Sequence, residues 1–470
     1  MGSHPNGTRR EPEAPTIFPL DWDNRIPGEV IIKLQPEVVP DVTVSVPGPD
    51  VPLLQKVNRL GIPDLDSSFE HIGVESISHL FFPSPPSASG EHCRASRSDD
   101  AYYRIKFAPG GGVKDVENAL RELTDNKIVA DAAPNRWVVG TTVDTDGSDR
   151  CHPDQWGLVQ IDCPAAWEHS IGSSEVQVAV IDSGVDLNHR DLRPHLLLGK
   201  SVLDIGIGQL PDQFIADGAL VDTFGLPWDE VGHGTHVAGT ISCTRRGVDG
   251  VAGVTHCCSV IPVRVLTRAL RAGTDDVIPV GTKTDSSVGI RWAVNQGAQI
   301  LNLSYGDPAW DFYETDAIAY AVEHDVVVVA AAGNIPDPSR QGRFYPAGCE
   351  GVIGVAATDS SNKLCSKSNY GDHVTVCAPG ERIRSTFWGG RRYASTSGTS
   401  TAAPHVSGLA ALLLSVDPTL TAPQVAAIIR ETATPLQEGP RPDQVWGWGV
   451  VNANAAVKRA LGAKAIPARR

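Results

Sequence analysis

Four short segments carry residue types that, brought together, would turn a hydroxyl into a nucleophile. Asp182 closes the apolar run 176–181 (VQVAVI) and precedes the turn residues Ser183 and Gly184, which places a carboxylate at the end of a strand. His233 lies in Gly232-His233-Gly234-Thr235-His236-Val237-Ala238-Gly239, where the flanking glycines let another backbone come close as the chain enters a helix. Asn334 follows Ala330-Ala331-Ala332-Gly333, a strand end with a carboxamide at its tip. Ser400, within Ser397-Gly398-Thr399-Ser400-Thr401-Ala402-Ala403-Pro404-His405, opens a helix predicted to run to Ser415. Pro404 is expected in its first turn, where no intrahelical donor is lost. A serine hydroxyl is inert at neutral pH until a base takes its proton, and imidazole is the side chain whose resting pKa, about 6.5, suits that task. A carboxylate would orient the imidazole. The free N–H groups of a helix start, joined by a carboxamide, would receive an oxyanion.

Each feature alone has a plainer use: a cap or turn for Asp182, a helix cap for Ser400, a turn for Asn334. The two histidines of the glycine-rich segment are three apart with no Glu between them, whereas zincin-type metal sites want His at i and i+4 around a Glu. No metal ligands are assigned, and His236, His256 and His405 are read as structural. In the acidic stretch 141–154, Asp144, Asp146 and Asp149 miss the spacing of a calcium loop and read as solvated linker.

In chain order, VIDSGV around Asp182, GHGTHVAG around His233, AAAGN around Asn334 and SGTSTAAPHVSG around Ser400 resemble the motifs of the subtilisin-like serine proteases, the subtilases. The resemblance covers most of residues 155–460, and Gly447–Ala453 is similar to the family's closing segment. It implies a serine endopeptidase acting through an acyl-enzyme, with Ser400 as nucleophile, His233 as base and Asp182 as its orienting partner. Asn334 and the Ser400 backbone N–H would form the oxyanion hole. It also implies that Ser304-Tyr305-Gly306 pair with extended polypeptide substrate, and that Ala331-Ala332-Gly333 form the opposite wall of the primary pocket. Phe344 stands where the family often has glycine before Tyr-Pro, so a ring would shorten that pocket and select small or medium apolar side chains.

Two departures bear on function. About fifty residues separate Asp182 from His233, and Asp204–Glu230 reads as an insertion overhanging the cleft. Acyl transfer to an amine, giving cyclic peptides, therefore stays open with this insertion as the candidate lid, as does a non-catalytic peptide binder. Asp191 stands where a family calcium ligand would, yet Arg245 and Arg246 occupy the loop Cys243–Gly250 where oxygens would be offered. The chemistry needs no cofactor, and structural calcium is left open.

These residues need a frame to hold them. From Trp156 onward, the apolar runs Val176–Ile181, Val260–Leu266, Ile300–Leu303, Val326–Ala330 and Val352–Ala356 alternate with helical segments. That predicts an α/β domain with a doubly wound, mostly parallel sheet, whose ligands bind at the carboxyl ends of the strands. Upstream, strands at Gly28–Leu34, Ile77–Phe82, Tyr102–Phe107 and 129–139 alternate with helical patterns at Val51–Leu60 and Val113–Leu123. The order β-α-β-β-α-β specifies a small ferredoxin-like α+β sandwich. The chain then divides into a flexible leader 1–25, the sandwich 26–140, a linker 141–154 with a candidate maturation site, a catalytic domain 155–462 and a tail 463–470. By the same resemblance the sandwich is a prodomain, acting as intramolecular inhibitor and folding chaperone of a zymogen.

Composition narrows the alternatives. Over 470 residues, 41% hydrophobic and 20% charged content fits a folded chain, and a formal charge of −15 argues against a grip on nucleic acid. The apolar runs are shorter than a membrane span requires, so no membrane role is expected. The first twenty residues hold no apolar core of a secretory signal, which makes the cytoplasm the default compartment. A monomer is expected, with its nine cysteines mostly buried and reduced.

Overall fold

The structure, a computed structural model, describes residues 25–36, 38, 60, 62–80, 101–107, 113–140, 155–205, 210–222, 225–244, 250–334, 343–389 and 392–464. The expected leader, the linker 141–154 and most of the helix expected at Val51–Leu60 lie outside these residues.

The N-terminal part contains β1 (Arg25–Leu34), α1 (Pro63–His71), β2 (Val74–His79), β3 (Tyr102–Phe107), α2 (Val113–Asp125) and β4 (Val129–Gly140). Its strands pair antiparallel in the order β2-β3-β1-β4. Alternation along the strands sends Val30, Ile32, Leu34, Ile77 and Ile105 into one core with Leu65 and Phe69 of α1 and Val116, Ala119 and Leu123 of α2. α1 starts with Pro63 in its first turn followed by Asp64 and Asp66, which suit a helix start by fixed φ and by charge.

The larger part begins with α3 (Trp156–Gln160), α4 (Cys163–Trp167), β5 (Gln177–Asp182), β6 (Lys200–Ser201), β7 (Phe214–Ala216), α5 (His233–Ile241) and β8 (Ser259–Arg264). It continues through β9 (Leu266–Arg271), β10 (Val277–Thr282), α6 (Lys283–Asn295), β11 (Ile300–Leu303), β12 (Tyr305–Gly306), α7 (Phe312–Glu323) and β13 (Val327–Ala331). It closes with β14 (Val352–Thr358), β15 (Val376–Pro379), the hairpin of β16 (Ile383–Thr386) and β17 (Tyr393–Thr396), then α8 (Thr399–Val416), α9 (Ala422–Thr432) and α10 (Ala453–Lys464).

Seven described strands form a parallel sheet in the order β15-β14-β13-β11-β5-β8-β6. Both faces are covered. Val178 and Val180 of β5 face the core shared with α5 and α8, while Ala179 and Ile181 face the one shared with α6 and α7. This is the doubly wound α/β arrangement that the unbroken apolar runs require. α8 is the one described helix long and apolar enough to cross a bilayer, and it is almost wholly buried as the central helix of this core. The seven described cysteines are unbridged thiols.

The run Val260–Leu266, expected as one strand, divides at Val265 into β8 and β9, because the chain leaves the parallel sheet there to form the antiparallel hairpin β9–β10. That hairpin joins the two parts of the molecule. β4 pairs with β10, and a second sheet runs β2-β3-β1-β4-β10-β9-β7 with β12 also on β4.

Candidate active site

Asp182, Ser304 and Asn334 stand side by side on one rim, because β5, β11 and β13 are neighbours in a parallel sheet and each residue lies at or just past a carboxyl end. His233 is the first residue of α5. Gly232 before it has φ 97°, a left-handed conformation open to glycine, and a Cβ on Gly234 would lie 2.1 Å from the Gly184 carbonyl oxygen. The helix start is thereby pressed onto the turn that follows Asp182. There His233 Nδ1 meets Asp182 Oδ1 at 2.7 Å, with both residues buried. Burial alone would lower the imidazole pKa, but the charge and hydrogen bond of Asp182, with Asp229 behind, leave it raised above the ordinary histidine value.

Asp229 was missed by sequence reasoning and holds this corner together. It accepts hydrogen bonds from Ser183 Oγ at 2.9 Å, from the N–H groups of Val231, Gly232 and Thr235 at 2.8–2.9 Å, and from Thr235 Oγ1 at 2.5 Å. Burial still raises its carboxyl pKa. Its only sequence signal is a carboxylate four residues before a histidine in a glycine-rich turn.

Ser400 is the second residue of α8 and is buried. The expectation that Pro404 sits in the first turn is corrected: α8 begins at Thr399, so Pro404 lies inside the helix. Its missing N–H is the one that would have bonded the carbonyl four residues back, which belongs to Ser400. Ser304 Oγ takes that place, donating to the Ser400 carbonyl oxygen at 2.9 Å. Asn302 Nδ2 donates to Ser304 Oγ at 2.8 Å, and Ser407 Oγ to Asn302 Oδ1 at 2.8 Å. A buried polar chain thus fixes the backbone at Ser400 from beneath.

Asn334 is tied to the same helix start. Its Oδ1 accepts from the Thr399 N–H at 2.8 Å and from Thr399 Oγ1 at 3.0 Å, which leaves its NH₂ as the donor end. Gly333 N–H in turn donates to Thr399 Oγ1 at 3.1 Å. The structure therefore joins Asp182 directly to His233, and Asn334 to the residue before Ser400. His236 bonds the Ile383 carbonyl and His405 the Thr401 carbonyl, and burial lowers both, to about 3 and about 4.

The cleft between β10 and β12 holds the end of β4. Tyr305 and Gly306 pair with Gly140 and Val139 on one side, while Val280, Gly281 and Thr282 pair with Val139, Val138 and Trp137 on the other. A Cβ placed on Gly140 would meet Pro279 Cγ at 2.6 Å and His233 Cε1 at 3.5 Å. Val138 packs into the core with Ile290 and Tyr305, whose hydroxyl bonds Ser286 Oγ. The Phe344 ring wedges between Gly306 and Gly333: a Cβ on either would come within 2.8 Å of it. Ala331 and Ala332 pack into the core on the α8 side.

At Asp191, Tyr393 Oη donates to Oδ2 at 2.5 Å and Arg190 Nε lies 3.4 Å from Oδ1. The described cation beside this carboxylate is thus Arg190. Arg245 and Arg246 lie outside the described residues. Asp191 Oδ1, though near Arg190, is buried and accepts no hydrogen bond among the described residues.

Residues 173–449 match the family described as the Subtilase family, Peptidase_S8. The chain is 35% identical to thermitase of Thermoactinomyces vulgaris over 304 residues, covering 65% of this chain and 96% of that protein. It is 34% identical to subtilisin Savinase of Lederbergia lenta over 305 residues, 64% of this chain and 98% of that one. A thermophilic serine proteinase of Bacillus sp. (strain AK1) is 36% identical over 303 residues, 64% and 67% of the two chains.

Proposed function

Because the chain belongs to the subtilase family and is a subtilisin-like serine protease, we propose that Asp182, His233 and Ser400 are its catalytic triad and that it is made as a zymogen inhibited by its own N-terminal module. In this reading Ser400 Oγ attacks a peptide carbonyl while His233 takes its proton, and Asp182 holds the imidazole and supports its positive charge. The Asn334 NH₂ and the Ser400 N–H receive the oxyanion. The protonated imidazole then gives its proton to the leaving amine, and water hydrolyses the acyl-enzyme by the reverse sequence. Ser304 and Asn302 are positioning residues, since they act through the Ser400 carbonyl.

The observation that carries the zymogen reading is the course of β4. Its last residues occupy the cleft as an added strand, the way a polypeptide substrate would, with Gly140 against the His233 ring. The module is then a ferredoxin-like prodomain whose next residue, Thr141, precedes the bond to be cut. A small side chain suits a primary pocket that Phe344 fills, and glycine suits the position before it. The insertion lends acyl transfer no support, because its residues Ile205, Leu210, Phe214 and Leu220 pack with Trp137 and Val139, on the peptide residues before the scissile bond.

The test starts from the full chain. Incubation should release a fragment beginning at Thr142, and a fluorophosphonate should label Ser400. Ser400→Ala should do neither. A labelled serine elsewhere, or a chain that never reacts and never cuts, would overturn the assignment.

A further inference from the structure

An extended strand sends alternate side chains to opposite faces, so Val138 and Gly140 face one way and Trp137 and Val139 the other. The second pair is enclosed by a small core of its own. Trp137 is fully buried and Val139 is 5% exposed. Around them lie Ile278 and Val280 of β10, Ala269 of β9, Phe214 of β7, Leu203 just before the insertion and Ile205 within it, with Leu210 and Leu220 packed against them. The roof is a built element. Ile205 N–H donates to the Leu220 carbonyl at 2.9 Å and Asp222 N–H to the Leu203 carbonyl at 3.4 Å, so two stretches of the chain form a ribbon over the strand. Apart from Ile26 and the two tail residues, this cluster comes from the larger part of the chain.

We propose that the insertion ribbon and the β9–β10 hairpin form a roofed apolar slot that reads the fifth and third residues before the scissile bond, selecting an aromatic at the fifth and a branched apolar residue at the third. This rests on the zymogen reading above, in which Gly140 is the second residue before that bond, Val139 the third and Trp137 the fifth. When the tail leaves, Ile278, Val280 and Phe214 lose their cover, and a substrate restores it by placing apolar side chains where Trp137 and Val139 lay. The side chains named above are all hydrocarbon, and the Trp137 indole N–H finds no acceptor among the described residues. Phenylalanine therefore fits the fifth position at least as well as tryptophan, because a buried N–H without a partner is costly.

The experiment takes the full chain after it has processed itself and measures kcat/KM on quenched fluorogenic peptides spanning Arg-Trp-Val-Val-Gly-Thr-Thr-Val. The fifth residue before the expected cut is varied through Trp, Phe, Ser and Asp, and the third through Val, Ser and Asp. Trp and Phe should exceed Asp at the fifth position about 10- to 100-fold, the range set by burying one large apolar side chain. Glu at the sixth position, in place of the half-buried Arg136, should change the rate less than about threefold by the same measure. Phe214→Ser should shrink the Trp-to-Asp ratio. In the unprocessed chain, Trp137→Asp should raise the rate of fluorophosphonate labelling at Ser400, with exposed Asp131→Ala as the unaffected control. Equal cleavage of the Trp and Asp peptides by an enzyme that labels normally would overturn the slot and leave the protease reading intact. Failure to label and to cleave any peptide would overturn the reading beneath it and the slot with it.

Discussion

The N-terminal module meets the rest of the molecule along two seams of opposite character. At the first, Trp137–Gly140 are held between β10 and β12 by backbone pairing, with apolar side chains filling the space around them. At the second, buried Arg104 bonds Glu29 of its own module at 3.0 Å and the Asp204 carbonyl across the seam at 2.7 Å, with Asp285 at 3.9 Å. Lys106 pairs with Glu29 at 2.9 Å, Asn135 donates to Thr284 at 3.0 Å, and Lys33 reaches Asp316 at 2.9 Å. The first seam uses groups that every polypeptide carries, so under the zymogen reading a suitable substrate would replace the tail. The second uses buried charges of the module itself, so under the zymogen reading it would address the module to its own enzyme. Backbone pairing gives exchangeability and buried charge gives identity.

Removing the charge seam should have the largest effect. Arg104→Met leaves Glu29 buried against Asp204 and Asp285 with one cation fewer, and breaking a buried pair in this way costs about 3–5 kcal/mol. The fluorophosphonate labelling rate at Ser400, which reports how often the cleft stands open, should rise on the order of a hundredfold or more. An unchanged rate would mean that the backbone seam alone holds the module. Gly140→Val attacks that other seam, since its Cβ has only 2.6 Å to Pro279 Cγ. Overpacking of this kind costs about 1–3 kcal/mol, so labelling should quicken by a smaller factor.

The sequence made the rim legible and left its supports hidden. Asp182, His233, Asn334 and Ser400 each sit where an apolar run meets glycine, and such junctions are readable because strand and helix periods stop there. The parallel sheet was equally plain, since strands buried on both faces carry unbroken apolar runs. The hairpin β9–β10 was not, because Arg268 and Arg271 interrupt β9 and its partners lie in β4 and β7, remote in the chain. Ser304 shows the limit most clearly. Its bond to the Ser400 carbonyl follows from the donor Pro404 lacks, but only once α8 is known to start at Thr399. Glu29 and Arg104 looked like ordinary strand charges, and their burial is a property of docking.

The charge seam carries one carboxylate more than it has cations, counting Glu29, Asp204 and Asp285 against Arg104 and Lys106. Asp285 absorbs the difference. Burial, with Asp204 adding to it and Arg104 opposing, lifts its pKa to about 7. Freed of the module and open to water, an aspartate titrates near 4. Between about pH 4 and pH 7 the docked form therefore holds a proton that the free form lacks, so docking takes up a proton. Docking should be strongest at the acid end and weaken as pH rises toward 7, by at most about tenfold per pH unit, then level off. Glu29 is held below its ordinary value, which confines its own titration to more acid solution. Asp285→Asn mimics the protonated form, so it should flatten the profile and keep the module docked at neutral pH. The measurement is the same labelling rate from pH 5 to pH 9, divided at each pH by the rate of the Arg104→Met chain so that titration of His233 cancels. A wild-type profile as flat as that of Asp285→Asn would show that the proton is not shared across the seam, and that the two seams differ in geometry alone.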